Sequence, residues 1–188
     1  MSPTTARHSH AHRALLGVLL WVVWSMPAAP SFATGCAFEL LGDGIVSTVI
    51  DPRTVRLDDG REVRLAGIET VPNESGERRS VLTDLIGRHV ILRGAHDAPD
   101  RYGRQSAFVF ADASLAPVQS ELLARGEALV SAEITDKACA EELASAEATS
   151  RIARLGTWAH TSVIKDAESP GHILARIRQF ALLEGRIS

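Results

Sequence analysis

Charged side chains that could bind phosphate or a metal ion are concentrated in one stretch, residues 49–70. The stretch contains Asp51, Arg53, Arg64 and Glu69. Carboxylates can supply the oxygen ligands that a hard cation such as calcium needs, and a guanidinium group can bind a phosphate with two parallel hydrogen bonds. A second charged stretch, Asp-Arg-Tyr-Gly-Arg at 100–104, adds two arginines. These residue types favour binding of a phosphate or a similar anion.

The alternation of β-branched and polar residues predicts strands that position the first charged stretch. Apolar residues at 45–50 precede a break at Pro52, and Val55 and Leu57 precede the turn sequence Asp58-Asp59-Gly60. Val63 to Ile68 return as the next strand. We therefore expect three strands in a meander.

Helix and strand signals alternate through the rest of the domain. The predicted helices start at Ser75, Pro117 and Asp136 and end at Gly87, Gly126 and Leu155, and the predicted strands cover residues 90–92, 107–110 and 128–130. We expect the inward helical faces to be Val81, Leu82, Leu85 and Ile86, then Val118, Leu122 and Leu123, then Leu143, Ala146, Ile152 and Leu155. Trp158 is expected to cap the core. The predicted fold class is α+β: a five-stranded Greek-key β-barrel with three helices, the OB-fold.

Residues 1–33 have the order of a secretory signal peptide. Arg7 and Arg13 precede an apolar run at 14–24, and small residues follow up to Ala33. The run has about half of the roughly 20 residues that a membrane-spanning helix needs. We therefore expect cleavage near Ala33 and a periplasmic or secreted protein without a membrane anchor.

The processed chain is long enough for one domain with a real core, because about 155 residues remain. Removal of two arginines changes the formal net charge from −3 to about −5. Strong sequence-independent attraction to phosphate backbones is not expected at that charge, so nucleic-acid binding would need a local basic patch. We expect the domain at 34–160. Residues 161–188 are predicted to form a helix and a terminal strand that either adds to a sheet edge or begins a missing module.

Two cysteines remain after processing, Cys36 and Cys139. An exported protein would pair them in a disulfide. The alternative is a lipoprotein, because Ala33-Thr34-Gly35-Cys36 has some likeness to a lipid-attachment site, although it lacks the usual leucine.

Four motifs together resemble the staphylococcal-type thermonuclease family over residues 44–158. They are Val-Ile-Asp-x-x-Thr-Val at 49–55, Val-Arg-Leu-Ala-Gly-Ile-Glu-Thr at 63–70, Asp-Arg-Tyr-Gly-Arg at 100–104, and Ala138-Cys139 followed by Leu143, Ala146-Glu147 and Gly156-Thr157-Trp158. The resemblance implies a calcium-dependent phosphodiesterase that cleaves DNA and RNA. Fixed cationic donors and a hard metal ion stabilise the extra negative charge of such a transition state.

The resemblance also implies a role for individual residues. Arg64 and Arg104 would bind the scissile phosphate, Tyr102 and Arg101 would bind the nucleotide, and Glu74 would activate water. Asp51, Glu69 and the carbonyl group of Thr70 would hold the calcium ion. Other interpretations stay open: Arg64 as a solvated strand residue, Arg104 paired with Asp100, Tyr102 packed on the barrel, and Glu74 as an exposed loop acid.

Two departures from the family pattern affect the metal ion and the base. Arg53 replaces a ligand carboxylate, and its positive charge would repel calcium. Glu74 lies two residues away from the position of the family's glutamate. We hypothesise that Arg53 is a built-in cation, paired with Glu69 or Asp51, that preserves the pocket without calcium.

Two functions follow. The first is an exported thermonuclease-like domain that binds nucleic acid, another anion or a protein partner, with weak or no cleavage. The alternative is an active calcium-dependent endonuclease on DNA and RNA.

Overall fold

A computed structural model describes residues 35–36, 38–70, 80–112, 114–160, 164–167, 171, 174 and 182–184. The predicted signal peptide at 1–33 lies outside the described residues. None of the helices within these ranges has the length and apolar character needed to span a membrane.

The described residues form short strands and three helices. The strands are β1 (Glu39–Asp51), β2 (Thr54–Leu57), β3 (Glu62–Leu65), β4 (Ile68–Glu69), β5 (His89–Gly94), β6 (Arg104–Ala111), β7 (Leu129–Val130), β8 (Ile164–Asp166) and β9 (Leu182–Glu184). The helices are α1 (Val81–Asp84), α2 (Val118–Ala124) and α3 (Lys137–Ala153), and a 3-10 turn follows at Gly156–Ala159. The α+β class and the three helices were predicted correctly.

Five of the strands form one mixed sheet in the order β1-β2-β3-β6-β5, and β5 pairs in turn with β1. The first three strands are the predicted antiparallel meander. β6 and β5 are also antiparallel, as are β5 and β1. β3 and β6 run parallel. The parallel register places Arg64 opposite Ser106 and Glu62 opposite Arg104. The two charged stretches of the sequence therefore meet on adjacent strands.

The predicted strand Val63–Ile68 is divided in two by a turn at Ala66 and Gly67. Gly67 has φ +75°, and a Cβ atom there would lie 2.9 Å from Leu143 Cδ1 and 3.0 Å from Phe108 Cε1. Only glycine combines this backbone conformation with this close approach. Because the chain turns here, β4 leaves the five-stranded sheet and pairs with β7 instead.

The helix signals predicted the starts of α2 and α3, but α1 begins at Val81 and all three helices end two or three residues before the predicted positions. Ser80 caps α1 by accepting the Leu82 amide, and the predicted start at Ser75 lies outside the described residues. Asp136 caps α3 as predicted. Ile86, expected to face inward, is 47% exposed because it follows the end of α1.

The end of α3 also differs from the prediction. Ile152 and Leu155 were expected inside, but they are 84% and 43% exposed. The helix stops at Ala153 because Arg154 adopts a left-handed conformation with φ 52°. Trp158 is buried, as predicted, and the Arg151 guanidinium lies 4.6 Å from its ring centroid.

The disulfide between Cys36 and Cys139 is present, as predicted, and both residues are fully buried. Gly35 is tightly packed, because a Cβ atom there would lie 2.2 Å from the Ala138 carbonyl oxygen. The lipid-attachment interpretation of Ala33-Thr34-Gly35-Cys36 is therefore wrong, since the Cys36 sulfur bonds to Cys139. The bond ties the segment before β1 to the first turn of α3.

The C-terminal segment contains a parallel pair, β8 with β9. β9 (Leu182–Glu184) lies in the part of the chain predicted to end in a terminal strand. Gly171 and Leu174 are helical, in agreement with the predicted helix, and the other residues of that helix lie outside the described ranges.

We predict that replacing both cysteines with alanine lowers the free energy of unfolding by about 2–5 kcal/mol, because the bond closes a loop of 103 residues. Urea denaturation of the double variant and of the oxidised protein measures the difference. An unchanged unfolding midpoint would contradict a stabilising role.

Candidate functional site

A tight turn joins β1 to β2 and positions Arg53. Asp51 and Thr54 pair at the base of the turn, and Pro52 restricts φ inside it. The Asp51 carboxylate accepts the Arg53 amide at 2.8 Å, and the Arg53 carbonyl accepts the Leu65 amide at 2.8 Å. The backbone of Arg53 is therefore held on both sides, and its side chain leaves the turn in a defined direction.

The Arg53 guanidinium forms an ion pair with Glu69 on β4. Nη1 lies 2.6 Å from Glu69 Oε2 and donates a hydrogen bond of 2.8 Å to the Ile68 carbonyl. The two side chains are only 17% and 20% exposed. A charge-assisted hydrogen bond that is largely shielded from water contributes more than an exposed one. Of the two partners proposed for the Arg53 guanidinium, the structure shows Glu69.

The ion pair lines a cleft of about 590 Å³. The size is within the range of small-molecule binding sites. Several segments line the cleft: residues 64–69, Gly94 and the residues that follow β5, and residues of the segment 131–136. Phe38, Arg53, Ser106 and Phe108 also line it. Arg53, Arg64 and Glu69 are thus brought together in one cavity.

Arg64 projects from β3 into this cleft and is partly exposed. Among the described residues, no carboxylate or carbonyl group holds its guanidinium. An uncompensated guanidinium in a cleft can accept an anion without first losing an internal partner. This arrangement favours the binding role predicted for Arg64 over that of a solvated strand residue.

Arg104 is held by Asp100, the pairing that was the alternative interpretation of this residue. Its Nε and Nη2 atoms lie 3.0 Å and 2.8 Å from Asp100 Oδ2. This hydrogen bond is the main reason that the pKa of Arg104 is raised and that of Asp100 is lowered. The charge of Asp51 also raises the pKa of Arg104, so the two residues act on each other electrostatically. An anion could bind Arg104 only by sharing the guanidinium with Asp100.

Tyr102 lies on the surface beside the two arginines of its motif. It is 65% exposed, and the Arg101 and Arg104 guanidinium carbons lie 4.8 Å and 4.9 Å from its ring centroid. Both distances are within the range of cation–π contacts. The ring therefore belongs to a charged surface cluster, which contradicts the alternative that it packs against the barrel. Arg101, Tyr102 and Arg104 do not line the 590 Å³ cleft.

Two of the residues predicted to hold calcium make other contacts in the structure. Glu69 is occupied by Arg53, and an Asp51 carboxylate oxygen accepts a backbone amide. Thr70 follows β4 and is partly buried. Within the described ranges, no group of three or more His, Cys, Asp or Glu side chains is arranged to hold a metal ion. The cationic group beside Glu69 in the structure is the Arg53 guanidinium.

One predicted residue is not described, and two residues that were not predicted line the cleft. Glu74, the predicted base, lies outside the described residues. Glu133 and His96 line the cleft but were not predicted as site residues. Glu133 reaches the cleft because β4 pairs with β7, and a contact between segments about 60 residues apart leaves no local signal in the sequence.

Comparison with models of protein families finds no match to this chain, and comparison with curated proteins finds none either.

We predict that the carboxyl group of Asp100 titrates below its ordinary pKa, because the hydrogen bond to Arg104 favours the ionised form. The stabilisation from this pair is complete above the ordinary pKa and is lost as the pH falls through the lowered folded-state pKa. Titration of the Asp100 carboxyl group by NMR measures the pKa directly.

The Asp100→Asn variant is the matching control, since it keeps an oxygen that can accept the Tyr102 amide and removes the charge. The stability difference between this variant and the wild type should shrink at low pH. An Asp100 pKa at the ordinary value would refute the prediction.

Proposed function

We propose that this chain is an exported thermonuclease-like domain of OB-fold architecture that binds a phosphate-bearing ligand without calcium. Its strand order supports the OB-fold, since the meander β1-β2-β3 is followed by a parallel β3–β6 pair and β5 returns to β1. The four sequence motifs support the relation to thermonucleases. The disulfide supports maturation in an oxidising compartment such as the periplasm.

The observation that carries the proposal is the Arg53–Glu69 ion pair. Calcium requires several oxygen ligands, and here the guanidinium occupies the Glu69 carboxylate at 2.6 Å. Entry of calcium would require breaking a largely buried pair and placing the ion beside a fixed positive charge. Both steps cost free energy. The positive charge that holds Glu69 and repels the metal ion is always present, because an arginine stays protonated at any physiological pH.

The phosphate would be bound by Arg64. Its guanidinium is uncompensated among the described residues, and the cleft around it is large enough for a small ligand. Hydrogen bonds to charged groups contribute about 1.5–3 kcal/mol each. A phosphate bound by this one arginine would therefore be held weakly unless the rest of the ligand also contacts the cleft.

Binding to a short 5′-phosphorylated oligonucleotide, in the presence of chelator, tests this function. We expect binding that weakens at least about tenfold in Arg64→Gln and does not change in Arg125→Gln, whose guanidinium pairs with Glu121 on α2 away from the cleft. The proposal would be overturned if the protein does not bind the oligonucleotide at all. It would also be overturned if Arg64→Gln and Arg125→Gln both bind it as tightly as the wild type does. Cleavage that is abolished by chelator would instead establish the calcium-dependent endonuclease.

We also predict that Arg53→Asp raises the affinity for calcium by at least about tenfold. The substitution frees Glu69 and adds a carboxylate, and calcium affinity increases with the number of anionic ligands. Isothermal titration compares the variant with the wild type.

Arg53→Gln separates the release of Glu69 from the effect of an added carboxylate, since it removes the ion pair without adding a carboxylate. We expect it to bind calcium more weakly than Arg53→Asp. Micromolar calcium binding by the wild type would show that Arg53 does not take the place of the metal ion.

A further inference from the structure

We infer that the C-terminal end of α3 is a docking surface for an anionic lipid membrane. The surface is named the α3-end patch and consists of Arg151, Ile152, Arg154 and Leu155, all of which are exposed. None of these residues lines the 590 Å³ cleft. The patch therefore differs in its residues from the site assigned to a phosphate, and it binds or fails to bind independently of the proposed function.

The apolar part of the patch faces water. Ile152 is 84% exposed and Leu155 is 43% exposed. The side chain of Leu143 is fully buried in the core, and nine residues later the helical period places Ile152 on the opposite face of α3. Packing in the core therefore gives no reason for an isoleucine at this position. Exposed aliphatic side chains beside cations are typical of surfaces that enter the headgroup boundary of a bilayer.

Two guanidinium groups flank these apolar side chains. Among the described residues, no carboxylate forms an ion pair with Arg151 or Arg154, and the Arg151 guanidinium lies over the ring of Trp158. The chain as a whole carries a formal net charge of −3, so the patch is a local exception. An anionic headgroup can pair with either guanidinium without displacing an internal carboxylate. Each arginine close to an anionic membrane adds to the attraction.

Arg154 has a backbone conformation that arginine rarely adopts. Its φ of 52° and ψ of 46° are left-handed, at the position that ends α3. Glycine or asparagine fits this position with less strain. Within the described part of the chain, Asp112 is the other residue besides glycines with a positive φ. Strained conformations concentrate at functional positions, and a lipid phosphate is a partner that a guanidinium can bind with two hydrogen bonds.

The combination of arginines and aliphatic side chains favours a membrane over other partners. A nucleic acid offers phosphates to the arginines but leaves the exposed isoleucine without an apolar contact at the backbone. A second copy bound through the same patch in a two-fold interface would place arginines against arginines. An anionic bilayer provides phosphates for the cations and an apolar boundary for Ile152 and Leu155. So few contacts give reversible attachment and no permanent anchor.

Co-sedimentation of the purified protein with lipid vesicles tests the patch. One vesicle preparation contains phosphatidylcholine alone, and the other contains equal parts of phosphatidylcholine and phosphatidylglycerol. We expect binding at least about tenfold stronger to the anionic vesicles, and a decrease when salt is added.

Substitutions of Arg154 separate its charge from its role in the fold. Arg154→Asn should weaken binding to the anionic vesicles about fivefold. Its thermal unfolding midpoint should stay the same or rise, because asparagine fits the left-handed conformation. Arg154→Lys should keep most of the binding, because it preserves the positive charge.

Ile152→Ser tests the apolar contribution. It should weaken binding at least about threefold without unfolding the protein, because the side chain is already 84% exposed. Two matched controls should bind as the wild type does. Lys137→Gln removes an exposed cation at the other end of α3, about 25 Å from Arg154. Leu115→Ser removes an apolar side chain that is 73% exposed and precedes α2.

Three results would overturn the membrane assignment. The first is equal binding to the two vesicle preparations, or wild-type binding by both Arg154→Asn and Ile152→Ser. The second is an Arg154→Asn variant that loses affinity for an oligonucleotide and not for anionic vesicles, which would assign the patch to nucleic acid. The third is a wild-type protein that sediments as a dimer and becomes a monomer in Ile152→Ser, which would assign the patch to a second copy.

Discussion

The ion pair between Arg53 and Glu69 connects two parts of the chain that the five-stranded sheet does not hold together. Arg53 belongs to the hairpin turn between β1 and β2, and Glu69 belongs to β4, which has left that sheet. The hydrogen bond from Arg53 to the Ile68 carbonyl strengthens the same connection. Because β4 pairs with β7, the position of the entire 131–136 wall depends on where this short strand lies. The ion pair therefore holds the turn between β1 and β2 against β4, at one side of the cleft.

An arginine in this place differs from a metal ion in what it can do. A guanidinium is permanently attached, carries a single positive charge and donates hydrogen bonds in one plane. A bound metal ion exchanges with solvent, accepts lone pairs from water and substrate, and lowers the pKa of bound water. The protein gains a site whose geometry does not depend on the supply of a cation. A guanidinium does not supply the activation of water that a metal ion provides, and the proposed function accordingly assigns recognition to these side chains.

Local sequence signals predicted the elements whose stability is local. The meander, the cap at Asp136 and the disulfide follow from turn residues, a capping side chain and cysteine pairing. The turn at Gly67 could not be predicted in the same way, because Leu143 and Phe108 force it from distant parts of the chain. The exposure of Ile152 and Leu155 has a similar origin, since apolar periodicity does not reveal where a helix stops packing. Glu133 was missed because its approach to the cleft depends on the β4–β7 pairing. Arg53, in contrast, was noticed because it departs from a familiar motif.

The disulfide forms only in an oxidising compartment, and the cleft is covalently complete only there. Cys139 lies three residues after Asp136, so the bond to Cys36 fixes the end of the segment that carries Glu133. A newly synthesised chain in a reducing cytoplasm would contain every cleft residue but would lack this covalent attachment. Without it, residues 131–136 would be held by the Ser131–Gly67 hydrogen bond, by the cap that Asp136 forms on α3 and by packing. Under the proposed export, formation of the disulfide would complete the attachment of this segment.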